Sequence, residues 1–101
     1  MKRGSKRKIM RYALIGCGRI SPNHIAAAQA NQLEIVAVCD LDKRNMRDKE
    51  LKFELGESVH QYTDYFEMLQ KEKPELVAIA TESGKHAKIA LDCMDYGCNL
   101  I

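Results

Sequence analysis

The sequence predicts an α/β domain on a doubly wound parallel sheet with strand order 3-2-1-4-5, and three observations carry the prediction. Short, β-rich apolar runs recur along the 101 residues. Helical patterns of about ten residues separate them, the length a crossover between parallel strands requires. The runs are nearly continuous in apolar residues rather than alternating, which suits strands covered by helices on both faces.

In chain order, "RYALIG" (11–16) is the first strand and "PNHIAAAQAN", rich in Ala, the first helix. "LEIVAVCD" (33–40) is the second strand. "KRNMRDKELKFEL" (43–55) places Met46, Glu50 and Phe53 along one line and Leu51 and Leu55 along another, with Gly56 as its stop. "VHQY" (59–62) is a short third strand, and "TDYFEMLQKEK" follows with Asp64 and Glu67 at capping-box spacing and Phe66 and Leu69 on one face. Pro74 ends that helix. "ELVAIAT" (75–81) is the fourth strand. Beyond it Ala87, Leu91 and Met94 recur at helical spacing, with Ala90 and Cys93 beside them and Gly97 as the C-cap. "CNLI" begins a fifth strand at which the sequence stops. Crossovers of this kind are right-handed.

Composition bounds the reading. Hydrophobic residues make up 46% and charged residues 30%, ordinary for a globular domain, and no apolar run approaches the ~20 residues of a membrane helix. Residues 1–11, "MKRGSKRKIMR", hold six Lys/Arg and no acid, leaving ten Lys/Arg against fourteen Asp/Glu in the remainder. The formal charge of +2 thus belongs to the tail, and 1–10 is read as a disordered basic tail ahead of a domain at 11–101. Without aromatic residues or an apolar helical face, the tail gives no reason to expect nucleic acid or membrane as a partner. It also lacks the apolar stretch of a secretory signal. Cys17, Cys39, Cys93 and Cys98 form no C-x-x-C pair, so buried reduced thiols are expected rather than disulfides or metal ligands, in a cytoplasmic setting.

"ALIGCGRISPNH" (13–24) carries the chemistry. Gly16, Gly18 and Ser21 occupy the G-x-G-x-x-G positions: a tight turn, a close approach of backbone to a pyrophosphate, and a small residue for helix–strand packing. Ser21 is also read as a cap for the helix, with Pro22 in its first turn. The amides near Gly18, Arg19 and Ile20 would then face a diphosphate at the positive end of the helix dipole. Asp40 ends the second strand 22 residues past Gly18, where a carboxylate accepts hydrogen bonds from adenosine ribose hydroxyls. Its charge repels a 2′-phosphate and favours NAD, while Lys43 and Arg44 nearby keep NADP open. No Lys-Ser or Lys-Thr follows the glycines, which excludes a P-loop, and Ile20 stands where a methyltransferase-type G-x-G-x-G needs glycine.

"YALIGCGRISPNH", "IVAVCDLD" and "YTDYFEMLQ…PELVAIAT…KHAKIALDCMDYGCNLI", in that order, resemble the N-terminal domain of the glucose-fructose oxidoreductase (Gfo/Idh/MocA) family over residues 11–101. The resemblance implies a Rossmann NAD(P)-binding domain followed by an α/β substrate domain. It further implies an oligomeric oxidoreductase that moves hydride between nicotinamide and a carbinol carbon of a sugar, cyclitol or sugar nucleotide. Family members carry a Glu-Lys-Pro motif after the fifth strand, its lysine near the nicotinamide. Here that motif falls due at Ile101, so no catalytic residue is expected in this sequence and the chain alone is expected to be inactive. Glu72, Lys73 and Pro74 spell the same tripeptide, but ahead of the fourth strand, at the wrong end of the sheet for a ligand. The family's Thr-Pro-Asn and following histidine are met here by Thr81, Glu82, Ser83 and His86. Thr81 and His86 match and are carried over as cofactor-binding, with a histidine satisfied in the first helical turn as the alternative for His86. Ser83 is a fair N-cap. His24, which also has a family counterpart, is read as packing or capping. Two other classes remain beside the enzyme: a free-standing module that senses NAD(H), and a basic-tailed interaction protein on the same scaffold.

Overall fold

The computed structural model describes residues 9–81 and 83–101, the side chain of Ser83 excepted. Most of the basic tail, Met1–Lys8, and Glu82 lie outside the described residues, as does any capping by the Ser83 hydroxyl. Among the described residues five strands alternate with four helices: β1 (Arg11–Ile15), α1 (Ser21–Ala30), β2 (Glu34–Cys39), α2 (Lys43–Phe53), β3 (His60–Tyr62), α3 (Tyr65–Glu72), β4 (Leu76–Ile79), α4 (Ser83–Asp95) and β5 (Asn99–Leu100). The strands form one sheet in the order β3-β2-β1-β4-β5, every pair parallel. This is the Rossmann arrangement expected from the alternation of apolar runs and crossover helices.

The continuous apolar runs divide between two cores because successive strand residues face opposite ways. Ala13, Ile15, Val77 and Ile79 pack on one face with Met68 and Leu69 of α3 and Ile89 and Cys93 of α4. Tyr12, Leu14 and Ala78 pack on the other with Ile25 and Ala28 of α1 and Met46 of α2. The pairing of β1 with β2 slips between Tyr12 and Ala13, so that Ile35 and Ala37 find partners and Val36 does not. Val36 and Ala37 then fall in the same core, as a bulge requires. All four cysteines are free and buried.

Several helix faces differ from expectation. The apolar stripe read on α4 faces outward: Leu91 is 59% and Met94 52% exposed, while Ile89 and Cys93 meet the sheet. Two apolar stripes exist on this helix, and the one through Ile89 and Cys93 packs into the core. On α2 the buried residues are Met46 and Lys49, with Leu51 exposed. Glu54, in the left-handed region at φ 52°, caps α2 ahead of Gly56. On α3 Leu69 is buried and Phe66 is exposed, its ring stacked on Tyr65 at 4.6 Å between centroids. The Asp64 carboxylate accepts from the Phe66 amide as an N-cap, but Glu67 pairs with Lys71 (2.8 Å), one turn on, instead of closing the box.

Candidate functional site

The chain leaves β1 through Gly16, whose φ of +100° is open to glycine and strained for other residues. Its amide donates to the Cys39 carbonyl at 2.7 Å. A Cβ at Gly16 would stand 2.8 Å from the Ala80 backbone, so the turn holds its course against the end of β4 only without a side chain. Gly18 differs: a Cβ there meets nothing within 4 Å. Of the two glycines, Gly16 is required by the fold and Gly18 borders open space.

Ser21 is fully buried and is the first residue of α1 rather than its cap. Its hydroxyl donates back to the Gly18 carbonyl at 2.7 Å, which turns its oxygen away from the helix amides. Ile20 holds the N-cap position, with no side-chain cap, and Pro22 sits in the first turn. The Ser21 amide donates to the Gly18 carbonyl at 3.2 Å and Pro22 has no N–H, so what the helix presents is the positive end of its dipole, with no side-chain cap in place.

Asp40, half-buried, follows directly on β2. Its Oδ2 accepts from the Cys17 amide at 2.8 Å and its Oδ1 from the Asp42 amide at 2.7 Å, with Asn45 Nδ2 at 3.4 Å from both. These contacts use the roughly four lone-pair sites of a carboxylate, but the two from the one Asn45 amide group are long at 3.4 Å and are the ones a competing donor would displace. Asp42 caps α2 and holds the Arg44 guanidinium at 2.9 and 3.1 Å, an exposed pair in which Arg44 keeps the Asp42 carboxyl below its usual range. Cys17 is no nucleophile. Burial, and then the Asp40 charge, push its thiol up to about 12, so it stays protonated at neutral pH.

Thr81 follows β4. Its Oγ1 is buried without a hydrogen-bond partner, a costly state for a hydroxyl unless something else fills the valence. Between the carboxyl ends of β1 and β4, where the strand order reverses, lies a cleft of about 1020 Å³. Gly16, Gly18, Arg19, Ile20, Asp40, Thr81 and His86 all line it, so the residues singled out in the sequence come together. His24, expected to pack or cap, also borders the cleft, and its carbonyl accepts from the buried Tyr12 hydroxyl at 3.4 Å.

Other lining residues carry no motif. Leu41 is exposed beside Asp40, Lys85 is on α4, and Tyr65 opens α3. The Tyr65 hydroxyl donates to Asp92 (2.6 Å), which also holds Lys88 (2.8 Å). Lys88 and then Tyr65 keep the Asp92 carboxyl below its usual range. Position after a helix cap was the one sequence signal for Tyr65. Among the described residues no group of three or more His, Cys, Asp or Glu side chains is placed to hold a metal ion.

A Gly-rich turn, an uncapped helix N-terminus, an acid at the end of β2 and an orphaned hydroxyl across the switch point fit a dinucleotide. A family model described as an oxidoreductase family with an NAD-binding Rossmann fold, Gfo/Idh/MocA, matches residues 10–101. The chain is 34% identical over 98 residues to glycosyl hydrolase family 109 protein 2 of Akkermansia muciniphila, covering 89% of this chain and 20% of that protein. It is 36% identical over 83 residues to the D-apiose dehydrogenase of Paraburkholderia graminis, covering 81% and 21%. The crystal structure of the WlbA dehydrogenase from Chromobacterium violaceum, in complex with NADH and UDP-GlcNAcA, superposes with a TM-score of 0.81 at 27% identity, over 94% of this chain and 27% of that one. The chain thus spans about a fifth of the curated relatives it matches. It belongs to the Gfo/Idh/MocA oxidoreductase family and forms that family's NAD-binding Rossmann domain.

Proposed function

We propose that this domain is the cofactor-binding part of an NAD-dependent oxidoreductase acting on a sugar, cyclitol or sugar nucleotide, which it meets through a further domain of a homo-oligomeric protein. The observation that carries the cofactor role is the one cleft that Gly18, Asp40 and Thr81 all line, with open space where a Gly18 side chain would be and a buried Thr81 Oγ1 that has no partner. The substrate class is supported by relatives named for a glycosyl hydrolase, an apiose dehydrogenase and a sugar-nucleotide complex.

In this reading the amides near Gly18, Arg19 and Ile20 and the α1 dipole bind the diphosphate, and Asp40 accepts from the adenosine ribose hydroxyls in place of its long contacts with Asn45. Thr81 Oγ1 and His86 serve the nicotinamide half. Bound nicotinamide supplies hydride transfer, and the group that takes the substrate's proton is not among these residues. NAD is preferred over NADP because Asp40 places a negative charge where a 2′-phosphate would come. Arg44, already paired with Asp42, offers that phosphate little in return.

Calorimetric titration with NADH and NADPH tests this directly. NADH should bind more tightly, and Asp40→Ala should weaken NADH more than NADPH, by ~1.5–3 kcal/mol for a charged hydrogen-bonding group. An unchanged ratio would remove Asp40 from the adenosine site. NADH binding without turnover of any sugar alcohol by the protein carrying this domain would favour the sensing role instead.

A further inference from the structure

Asp40 does something besides facing the cleft. Each of its carboxylate oxygens holds one backbone amide, that of Cys17 between the two loop glycines (2.8 Å) and that of Asp42 at the entry to α2 (2.7 Å). Cys17 lies between two glycines, and glycine loses more freedom on ordering than any other residue. The other ties on this turn are the Gly16 amide and the Cys17 thiol on the Cys39 carbonyl, at 2.7 and 3.8 Å, and the Ser21 hydroxyl and amide on the Gly18 carbonyl, at 2.7 and 3.2 Å. Only the Asp40 bond is charge-assisted, and such bonds are about twice as strong as neutral ones. We infer that Asp40 is the positioning residue of the glycine loop. Its charge holds the Cys17 amide, and through it the course of the chain to Gly18, in the binding geometry before any ligand arrives.

Neutralising Asp40 should then loosen the diphosphate loop as well as the ribose contact. The ligand side of this inference rests on the dinucleotide reading, whereas the loop side does not. In the unsubstituted chain, NMR should show a through-hydrogen-bond coupling between the Cys17 amide nitrogen and the Asp40 carboxyl carbon. Its absence would overturn the inference whatever the variants do. In Asp40→Asn, with circular dichroism as folding control, the Cys17 and Asp42 amides should exchange about tenfold faster in ligand-free protein, as expected for loss of one charge-assisted bond. Amides in the middle of β1 and β4 should be unchanged. Unchanged exchange at Cys17 would overturn the role.

A second arm separates positioning from ribose contact. An NADH analogue lacking both adenosine ribose hydroxyls should bind Asp40→Asn about tenfold more weakly than it binds the unsubstituted chain. Equal binding would mean that Asp40 acts on the ribose alone. Failure of NADH itself to bind the unsubstituted chain would instead count against the proposed function, and amide exchange would still judge the loop.

Discussion

At the amino-terminal edge of the sheet Glu72 is only 8% exposed, and its carboxylate takes the Tyr62 hydroxyl and His60 Nδ1, both at 2.6 Å, and Arg11 Nη2 at 3.3 Å. At the carboxyl-terminal edge Thr81 keeps a buried hydroxyl with no partner, and Gly18, which lines the same cleft, has open space where a side chain would be. Arg11 Nε is also unpartnered, but it belongs to a partly exposed cation whose Nη2 is already bonded twice to Glu72. The contrast is between polar groups satisfied within the fold and one that the fold leaves unsatisfied, which the proposed function assigns to the cofactor. Residue type does not make that distinction. The Glu72-Lys73-Pro74 tripeptide has the letters of a catalytic motif, yet Glu72 closes an ion-paired network, Lys73 is the left-handed C-cap of α3 at φ 48°, and Pro74 is buried.

The largest expected effect tests the open edge. Gly18→Val should reduce NADH binding below calorimetric detection while leaving the urea midpoint unchanged, because its Cβ meets no protein atom. Gly16→Ala should do the reverse and damage the fold by roughly 2–4 kcal/mol, the sum of a positive φ and an overlap with the Ala80 backbone. If both variants lost stability equally, the division of labour between the two glycines would be wrong.

The closed edge gives smaller effects. Glu72→Gln should lower unfolding free energy by roughly 1–3 kcal/mol, toward the low end because Arg11 and His60 are partly exposed, with NADH affinity unaltered. Burial opposes the Glu72 charge, but the bonds from Tyr62 and His60 and the charge of Arg11 outweigh it and hold its pKa below the usual range. A depressed carboxylate pKa stabilises the fold above its unfolded value of about 4.3, and that contribution disappears as pH falls through the folded value. The urea midpoint of the unsubstituted chain should therefore fall on acidification below pH ~4.3, and more steeply than that of Glu72→Gln. Lys73→Ala should change NADH affinity by no more than about 0.5 kcal/mol, as for other exposed positions. A loss as large as that of Gly18→Val would mean that the amino-terminal edge also meets the cofactor.

Strand order and the position of the switch point were legible from local patterns, as were the glycines and Asp40 in the cleft, whereas Leu41, Tyr65 and Lys85 in its lining were not. A continuous apolar run means burial on both faces, a crossover of ten residues forces parallel pairing, and glycines after a strand mark the turn into a helix. Each depends on neighbours in the chain. Helix rotation was less legible. On α4 the stripe through Leu91 and Met94 has the same period as the one through Ile89 and Cys93, and periodicity gives the angle between residues without saying which faces the sheet.

The sequence by itself determined the doubly wound sheet, the glycine turn and an acid at the end of β2, because these follow from period, chain reach and backbone freedom. Tertiary structure alone decided that Ser21 bonds back to Gly18, that Glu72 joins Arg11 across 61 residues, and that Asp40 holds Cys17 across 23. The last two depend on which strands lie side by side and on angstrom distances between oxygens and amides. The Ser21 bond depends on how the turn itself is folded. In each case, whether a polar group serves the fold or remains for a ligand is decided by the partners that packing brings within reach.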